Sequence, residues 1–239
     1  IIMFALDTAT IIPYIMYVLK ECPKKDEREL LFTYLESYIM RRIICKETTK
    51  NYNQFFRSML INNEVNTYQK LKEEIEKKAD KVNFMPDDKT VATAFKSSKL
   101  TNKQARGVLY LIEKSIRSEL QSTDLKPISS FSLEHIMPKK WENNWKANLS
   151  EQQRNDRNNL LLTLGNLAII TNKLNSSIRD GSWETKKKGS GKNRGLLDYS
   201  ASVETFDSTF LNSKNWDEGS ILKRAEFLTQ EALRQVWKI

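Results

Sequence analysis

Apolar residues recur at helical spacing through most of the first 120 positions. Leu6 to Leu19 is mostly apolar and predicts a buried helix ended by Pro23. Leu30, Leu31, Tyr34, Leu35, Tyr38 and Ile39 predict a second helix, and Phe55, Phe56, Met59 and Leu60 a third over Tyr52–Leu60. Glu64 to Lys81 mixes acids and lysines around Leu71 and Ile75, the pattern of a helix with a solvated face. Asn83 to Asp88 reads as a turn in which Asp87 or Asp88 caps the next helix. From Asn102 to Leu120, Ala105, Val108, Leu109, Ile112, Ile116 and Leu120 form one core-facing stripe. The polar stretch Gln121–Ser130 is the one good boundary.

The rhythm then changes. Phe131 to Ile136 is a short strand-like run stopped by Pro138. Ser150 followed by Glu151, Gln152 and Gln153 starts a short helix. Leu160–Leu164 and Leu167–Ile170 bracket Gly165-Asn166 and predict a second strand. Asn172 is placed to cap a helix carrying Leu174 and Asn175, and Trp183 to pack beneath the last helix. Leu196 to Leu211 yields no assignment. Ile221, Leu222, Ala225, Leu228, Ala232, Leu233, Val236 and Trp237 predict a last helix docking back on the first ones. The expected fold is mainly α-helical with a small embedded β–β–α unit. It divides into a helical part at 1–130, the strand-bearing part at 131–195, and a closing segment at 196–239.

Composition narrows the function. The chain has 239 residues, 39% apolar and 29% charged, and is ordinary for a protein that buries a core. Two cysteines, Cys22 and Cys45, and a single histidine exclude a four-ligand Cys/His zinc centre and a disulfide framework. No apolar run approaches the roughly 20 residues that span a bilayer, and no signal peptide is evident, so the expected setting is cytoplasmic, without a membrane partner. The first residue is isoleucine, and the chain reads as a piece of a longer protein. Residues 131–195 hold 12 lysines and arginines against 6 acids, two-thirds of the net +9. Such a concentration fits a polyanion partner; a general compositional bias toward lysine and asparagine is the competing reading.

The candidate chemistry lies in that basic stretch. His135 follows Glu134 and precedes Ile136-Met137-Pro138; Asn166, Asn175 and Lys186 come later. An imidazole titrates near neutrality and serves as a general base without a large shift. Glu134 and Asn175 offer the hard oxygens that suit Mg²⁺ or Mn²⁺. Neighbouring strand residues point to opposite faces, so Glu134 and His135 converge only if the strand ends or bends between them. Asn166, at a turn, ties the loop through backbone hydrogen bonds. Lys186 to Gly195 reads as a flexible basic loop in which Lys186, Lys187, Lys188, Lys192 and Arg194, with Lys139 and Lys140, grip DNA phosphates. Arg41 and Arg42 are taken as structural.

The order acid-His, Asn, Asn, Lys matches the skeleton of an HNH, or ββα-metal, nuclease site. The combination Glu134-His135-Ile136-Met137-Pro138, Trp141 or Trp145, Gly165-Asn166-Leu167, Leu174-Asn175-Ser176, Trp183 and Lys186 resembles the C-terminal HNH nuclease domain of GmrSD-type modification-dependent restriction enzymes. Upstream, Arg41-Arg42 and Tyr52-Asn53 fit the same resemblance, as do Arg224, Leu228, Ala232 and Trp237 downstream. Trp183 stands where phenylalanine is commoner, and Ala168 where threonine is usual. The resemblance implies His135 as general base, a Mg²⁺ or Mn²⁺ ion near Glu134 and Asn175, Asn166 bracing the loop, and Lys186 supporting the site. It also implies DNA as substrate, a bacterial or archaeal defence role, and an N-terminal nucleotide-hydrolysing sensor module in the full-length protein. The alternative is a non-catalytic DNA-binding module that keeps the fold; a helical scaffold and a cysteine hydrolase fit the residues less well.

Overall fold

The structure is a computed structural model that describes residues 1–62, 64–77, 82–117, 125–145, 148–198, 204–206 and 208–239. The chain groups into two compact units, residues 1–91 with 236–239, and residues 92–235. The division between these two units falls at residue 91, within a helix.

The first unit is helical: α1 (Ile2–Ala5), α2 (Ile12–Glu21), α3 (Lys25–Ile44), α4 (Tyr52–Ile61), α5 (Tyr68–Lys77) and the start of α6 (Asp88–Ser97). The expected single helix over Leu6–Leu19 is broken. Asp7 takes φ +56°, a left-handed turn that no continuous helix allows, and α2 restarts with Pro13 in its first turn. Met16 and Leu19 on α2 are exposed. Asp87 is the capping acid at α6, accepting from the Thr90 N–H at 2.7 Å. The charged helix begins at Tyr68, after Glu64, and is described as far as Lys77; residues 78–81 lie outside the described part. The core is an aromatic cluster of Tyr14, Tyr38, Tyr52, Phe55 and Phe56, with ring centroids 5.3–6.3 Å apart.

Arg41 and Arg42 stand beside that cluster and are fully buried. Arg41 donates to Trp237 O, Pro86 O and Asp88 Oδ1; Arg42 donates to the Tyr52 hydroxyl and to Phe84 O, Thr48 O and Val82 O. A guanidinium carries five donors in a rigid fork, which suits it to gathering scattered carbonyls. The pair fastens the 82–88 turn.

The second unit holds α7 (Asn102–Ile116), β1 (Phe131–His135), α8 (Glu151–Leu160), β2 (Leu167–Thr171), α9 (Asn172–Ile178), α10 (Trp183–Lys188), α11 (Ser208–Leu211) and α12 (Glu218–Glu231). Thr101 with Gln104, and Ser150 with Gln153, form complete capping boxes at α7 and α8, each worth about 1 kcal/mol. The α7 stripe is buried as expected through Ile112; Leu120 and residues 121–124 of the connector lie outside the described residues. β1 and β2 pair antiparallel, from Phe131 opposite Thr171 to His135 opposite Leu167. The Phe131 ring meets Tyr110 of α7 edge-on, whereas Ser132 Oγ accepts from Asn175 of α9. The two helices thus cover opposite faces of the ribbon. The α9 cap is Thr171, whose Oγ1 accepts from Leu174 N, and not Asn172 one residue later. Among the described residues no helix is long and apolar enough to cross a membrane.

Candidate active site

Three devices hold the end of β1 in place. The first is the Gly165-Asn166 turn. A Cβ on Gly165 would come within 2.2 Å of Ile221 O, so only glycine lets α12 approach this closely. The second is Arg224 of α12. It is fully buried and donates to Leu164 O, Gly165 O, Leu167 O and Thr205 O, collecting the carbonyls on both sides of the turn. The third is Asn166. Its Oδ1 accepts from Met137 N (2.9 Å) and Trp216 Nε1 (3.0 Å), and its Nδ2 donates to Met137 O (2.9 Å) and Leu161 O (3.0 Å). Both halves of the amide are engaged and the side chain is wholly buried. Asn166 therefore stands as a positioning residue: it pins the backbone two residues beyond His135 and has no atom left for a substrate. Beyond it, Trp141 anchors the outgoing segment through Asn158 Oδ1, with the Arg157 guanidinium 4.6 Å from the centre of its ring.

At the strand's end the ladder stays regular. Ile136 N still donates to Asn166 O at 3.0 Å, beyond the His135–Leu167 pair. No bend separates Glu134 from His135, so the condition for their convergence is not met and strand alternation sends their side chains to opposite faces. Ser132 and Glu134 share the face covered by α9. The two side chains are nonetheless linked through charge. Glu134 and His135 both lie within electrostatic reach of Lys186 and Asp180.

Lys186 corrects the expectation of a phosphate-gripping loop residue. It lies on α10, fully buried, with its Nζ on Glu134 Oε1 and 2.8 Å from His135 O. Burial pulls the Lys186 ammonium down and pushes the Glu134 carboxyl up, each opposed by the attraction of the other. Lys187 is also a helix residue, buried against the Trp183 ring and bonded to Ser213 O and Glu184. An ammonium already desolvated and bonded is not available to DNA. Lys188, Lys192, Arg194, Lys139 and Lys140 are exposed, Lys188 with Glu184 as its partner at 3.0 Å. Residues 189–195 form a closed turn, with Ser190 and Asn193 bonded to each other at 3.0 Å in both directions. Trp183 heads α10 and packs on Trp145 and Trp216.

His135 is half-buried, and its imidazole is pushed down to about 4, first by burial and then by Lys139 and Lys186. It is neutral at pH 7, and this large downward shift makes it a weaker base than the near-neutral imidazole expected from the sequence. Asn175 donates Nδ2 to Ser132 Oγ (2.9 Å) and to Leu133 O (3.4 Å), which fixes the amide's orientation. Its Oδ1 makes no hydrogen bond among the described residues. One carboxylate and one amide oxygen thus belong to the face covered by α9. Mg²⁺ commonly takes one or two protein oxygens and fills its shell with water and phosphate, so this donor set fits such an ion, with Glu134 shared with Lys186. Among the described residues there is no group of three or more His, Cys, Asp or Glu that would suit a metal held by the protein alone.

Sequence reasoning missed Ser132, which orients Asn175; Asp180, whose charge acts on Glu134, His135 and Lys186; and Trp216, which bonds Asn166. Serine alternating with Glu134 on one strand face was the signal for the first. Nothing local marks the other two. The family described as GmrSD restriction endonucleases, C-terminal domain, matches residues 85–231. No curated protein and no solved structure matches the chain.

Proposed function

Because the chain belongs to the family of GmrSD restriction endonuclease C-terminal domains, we propose that its second unit hydrolyses DNA phosphodiesters at an HNH, or ββα-metal, site centred on His135. The observation that carries the reading is a neutral imidazole at the end of β1, with a carboxylate of the same strand and an oriented amide of α9 on the other face, in a β–β–α order. His135 accepts the proton of the attacking water at its unprotonated ring nitrogen. Glu134 and Asn175 would hold a divalent ion, Mg²⁺ or Mn²⁺, which when bound would supply neutralisation of charge on the phosphate and the leaving oxygen. Lys186 holds the Glu134 carboxylate in place and, through His135 O, the strand end itself. Lys139 and Lys140, exposed just beyond Pro138, bind the DNA backbone without reading sequence. The cellular reading that follows is a bacterial or archaeal cytoplasmic defence protein whose nucleotide-hydrolysing sensor module lies in another part of the full-length chain.

Supercoiled plasmid incubated with Mg²⁺, Mn²⁺ or EDTA tests this. Open-circle or linear product that needs the metal and disappears in His135→Ala supports the nuclease. A second reading, a DNA-binding module without activity, draws on the pairing of Glu134 with Lys186. It predicts retarded plasmid and no product in any metal.

A further inference from the structure

Behind α9, away from Asn175, lies a groove of about 470 Å³ lined by Lys173, Leu174, Ser176, Ser177, Lys192, Asn193 and Arg194. On α9, Lys173, Ser176 and Ser177 stand three and four residues apart and share one face, while Asn175 lies about 200° round the helix from Lys173. The opposite wall is the 189–195 turn. From this geometry we infer that the groove is a second phosphate-binding site, holding the nucleic-acid backbone a short distance from the bond that is cut.

Three observations support it. Lys173, Lys192 and Arg194 are all exposed, come from two separate segments, and face one groove whose other polar groups, Ser176, Ser177 and Asn193, are hydroxyls and an amide. Among the described residues no carboxylate lines it, so nothing there neutralises the three cations or repels an anion. The walls are fixed in shape before any ligand arrives. Ser177 Oγ donates to Arg194 O at 3.2 Å, and Gly195 N donates to Asp198 Oδ2 at 3.0 Å. Gly189 takes φ +83°, where a Cβ would come within 2.0 Å of Asn193 O, so the turn is built around a residue with no side chain. With the backbone of the turn and helix already fixed, meeting a phosphate orders only the three long side chains, which limits the cost of binding. The groove carries guanidinium and ammonium donors and a wall more polar than apolar, which favours phosphate oxygens over bases.

Its position sets its role. A helix is about 10 Å across, so a phosphate here sits roughly two or three nucleotides from one at the Asn175 side. The groove orients the strand across α9 and takes no part in the chemistry. The inference rests on the nuclease reading for the identity of the polyanion.

The test is binding of a fluorescent 24-base-pair duplex in EDTA, across a salt series, with the whole chain. Lys173→Ala/Lys192→Ala/Arg194→Ala is compared with wild type, with His135→Ala, and with a triple variant removing the exposed Lys114, Lys126 and Lys223 outside the groove; melting temperatures check folding. The expected result is a salt slope shallower by about 2 to 3 and affinity roughly ten- to a hundredfold weaker at low salt for the groove variant alone. A groove variant with wild-type affinity and slope overturns the groove, even if the plasmid is still cut by wild type and not by His135→Ala. A loss equal to that of the control triple variant also overturns it, because it reduces the effect to net charge. A groove-dependent slope in a chain that cuts nothing in any metal sustains the groove and overturns the nuclease reading.

Discussion

Both units bury basic side chains, but to different ends. In the first, Arg41 and Arg42 direct their donors at backbone carbonyls, the Tyr52 hydroxyl and an exposed Asp88. In the second, Lys186 faces a buried carboxylate and the carbonyl of the residue next to it. The guanidinium fork ties several stretches of backbone together, and the carboxylate it meets, Asp88 at Arg41, is exposed rather than buried. The ammonium is a point charge whose burial is tolerable only because Glu134 is there, and the reverse holds for Glu134. The first arrangement is a clamp. The second is a charge pair whose lysine acts on both Glu134 and His135 through its charge, so disturbing one member reaches the others. That difference separates a structural use of buried charge from a site.

Removing the cation breaks the comparison most sharply. Lys186→Met leaves Glu134 buried without its partner and is expected to cost about 3–5 kcal/mol in urea unfolding. Adding Glu134→Gln should recover part of that loss, the non-additivity being the coupling of the pair. Arg42→Met should cost about 2–4 kcal/mol, since its carbonyl partners are orphaned but no charge is. No substitution of an acid should rescue it. Equal costs with no rescue at either position would erase the distinction. Asn166→Ala, which removes four hydrogen bonds at once, should cost about 2–3 kcal/mol and lower cleavage as well, because the segment beyond His135 loses its brace. Loss of stability without loss of activity would confine Asn166 to the fold.

Acid should act more mildly. Burial and two lysines hold the His135 imidazole at about 4, below its ordinary 6.5. Between those values the unfolded chain binds a proton that the folded chain does not. His135's contribution is therefore complete above pH 6.5, declines as pH falls, and stops declining near pH 4. It amounts to about 3 kcal/mol over the window. As His135 is the single histidine, its imidazole resonances in an NMR titration report on it alone, and a midpoint near 6.5 would contradict the buried, lysine-flanked setting. The smallest effect is expected at the surface. Lys139→Ala or Lys140→Ala should leave the melting temperature unchanged and make the salt dependence of DNA binding shallower by about 1 each.

The sequence carried much of this, unevenly. Periodicity located most of the helices and both strands, because burial of one face leaves its mark on every third or second residue. It overran at Asp7, where a single left-handed residue breaks a helix without changing the apolar pattern. Glu134, His135 and Asn175 stood out as residue types at suggestive spacing. The burial of Lys186 and Lys187 did not, because three lysines in a row look alike until one meets Glu134 and another Trp183. Trp216 and Asp180 were silent for the same reason: their roles come from long-range contacts that no local pattern records.

The most direct test of the central claim is chemical rescue of His135→Gly on supercoiled plasmid with Mg²⁺ or Mn²⁺. Removing the imidazole should lower cleavage at least about a hundredfold. Added free imidazole should restore it in proportion to its concentration, and the restored rate should follow the titration of free imidazole near pH 7 rather than that of the buried side chain. Cleavage by His135→Gly at the wild-type rate without imidazole would contradict the account, because the proton of the attacking water would then be leaving by another route.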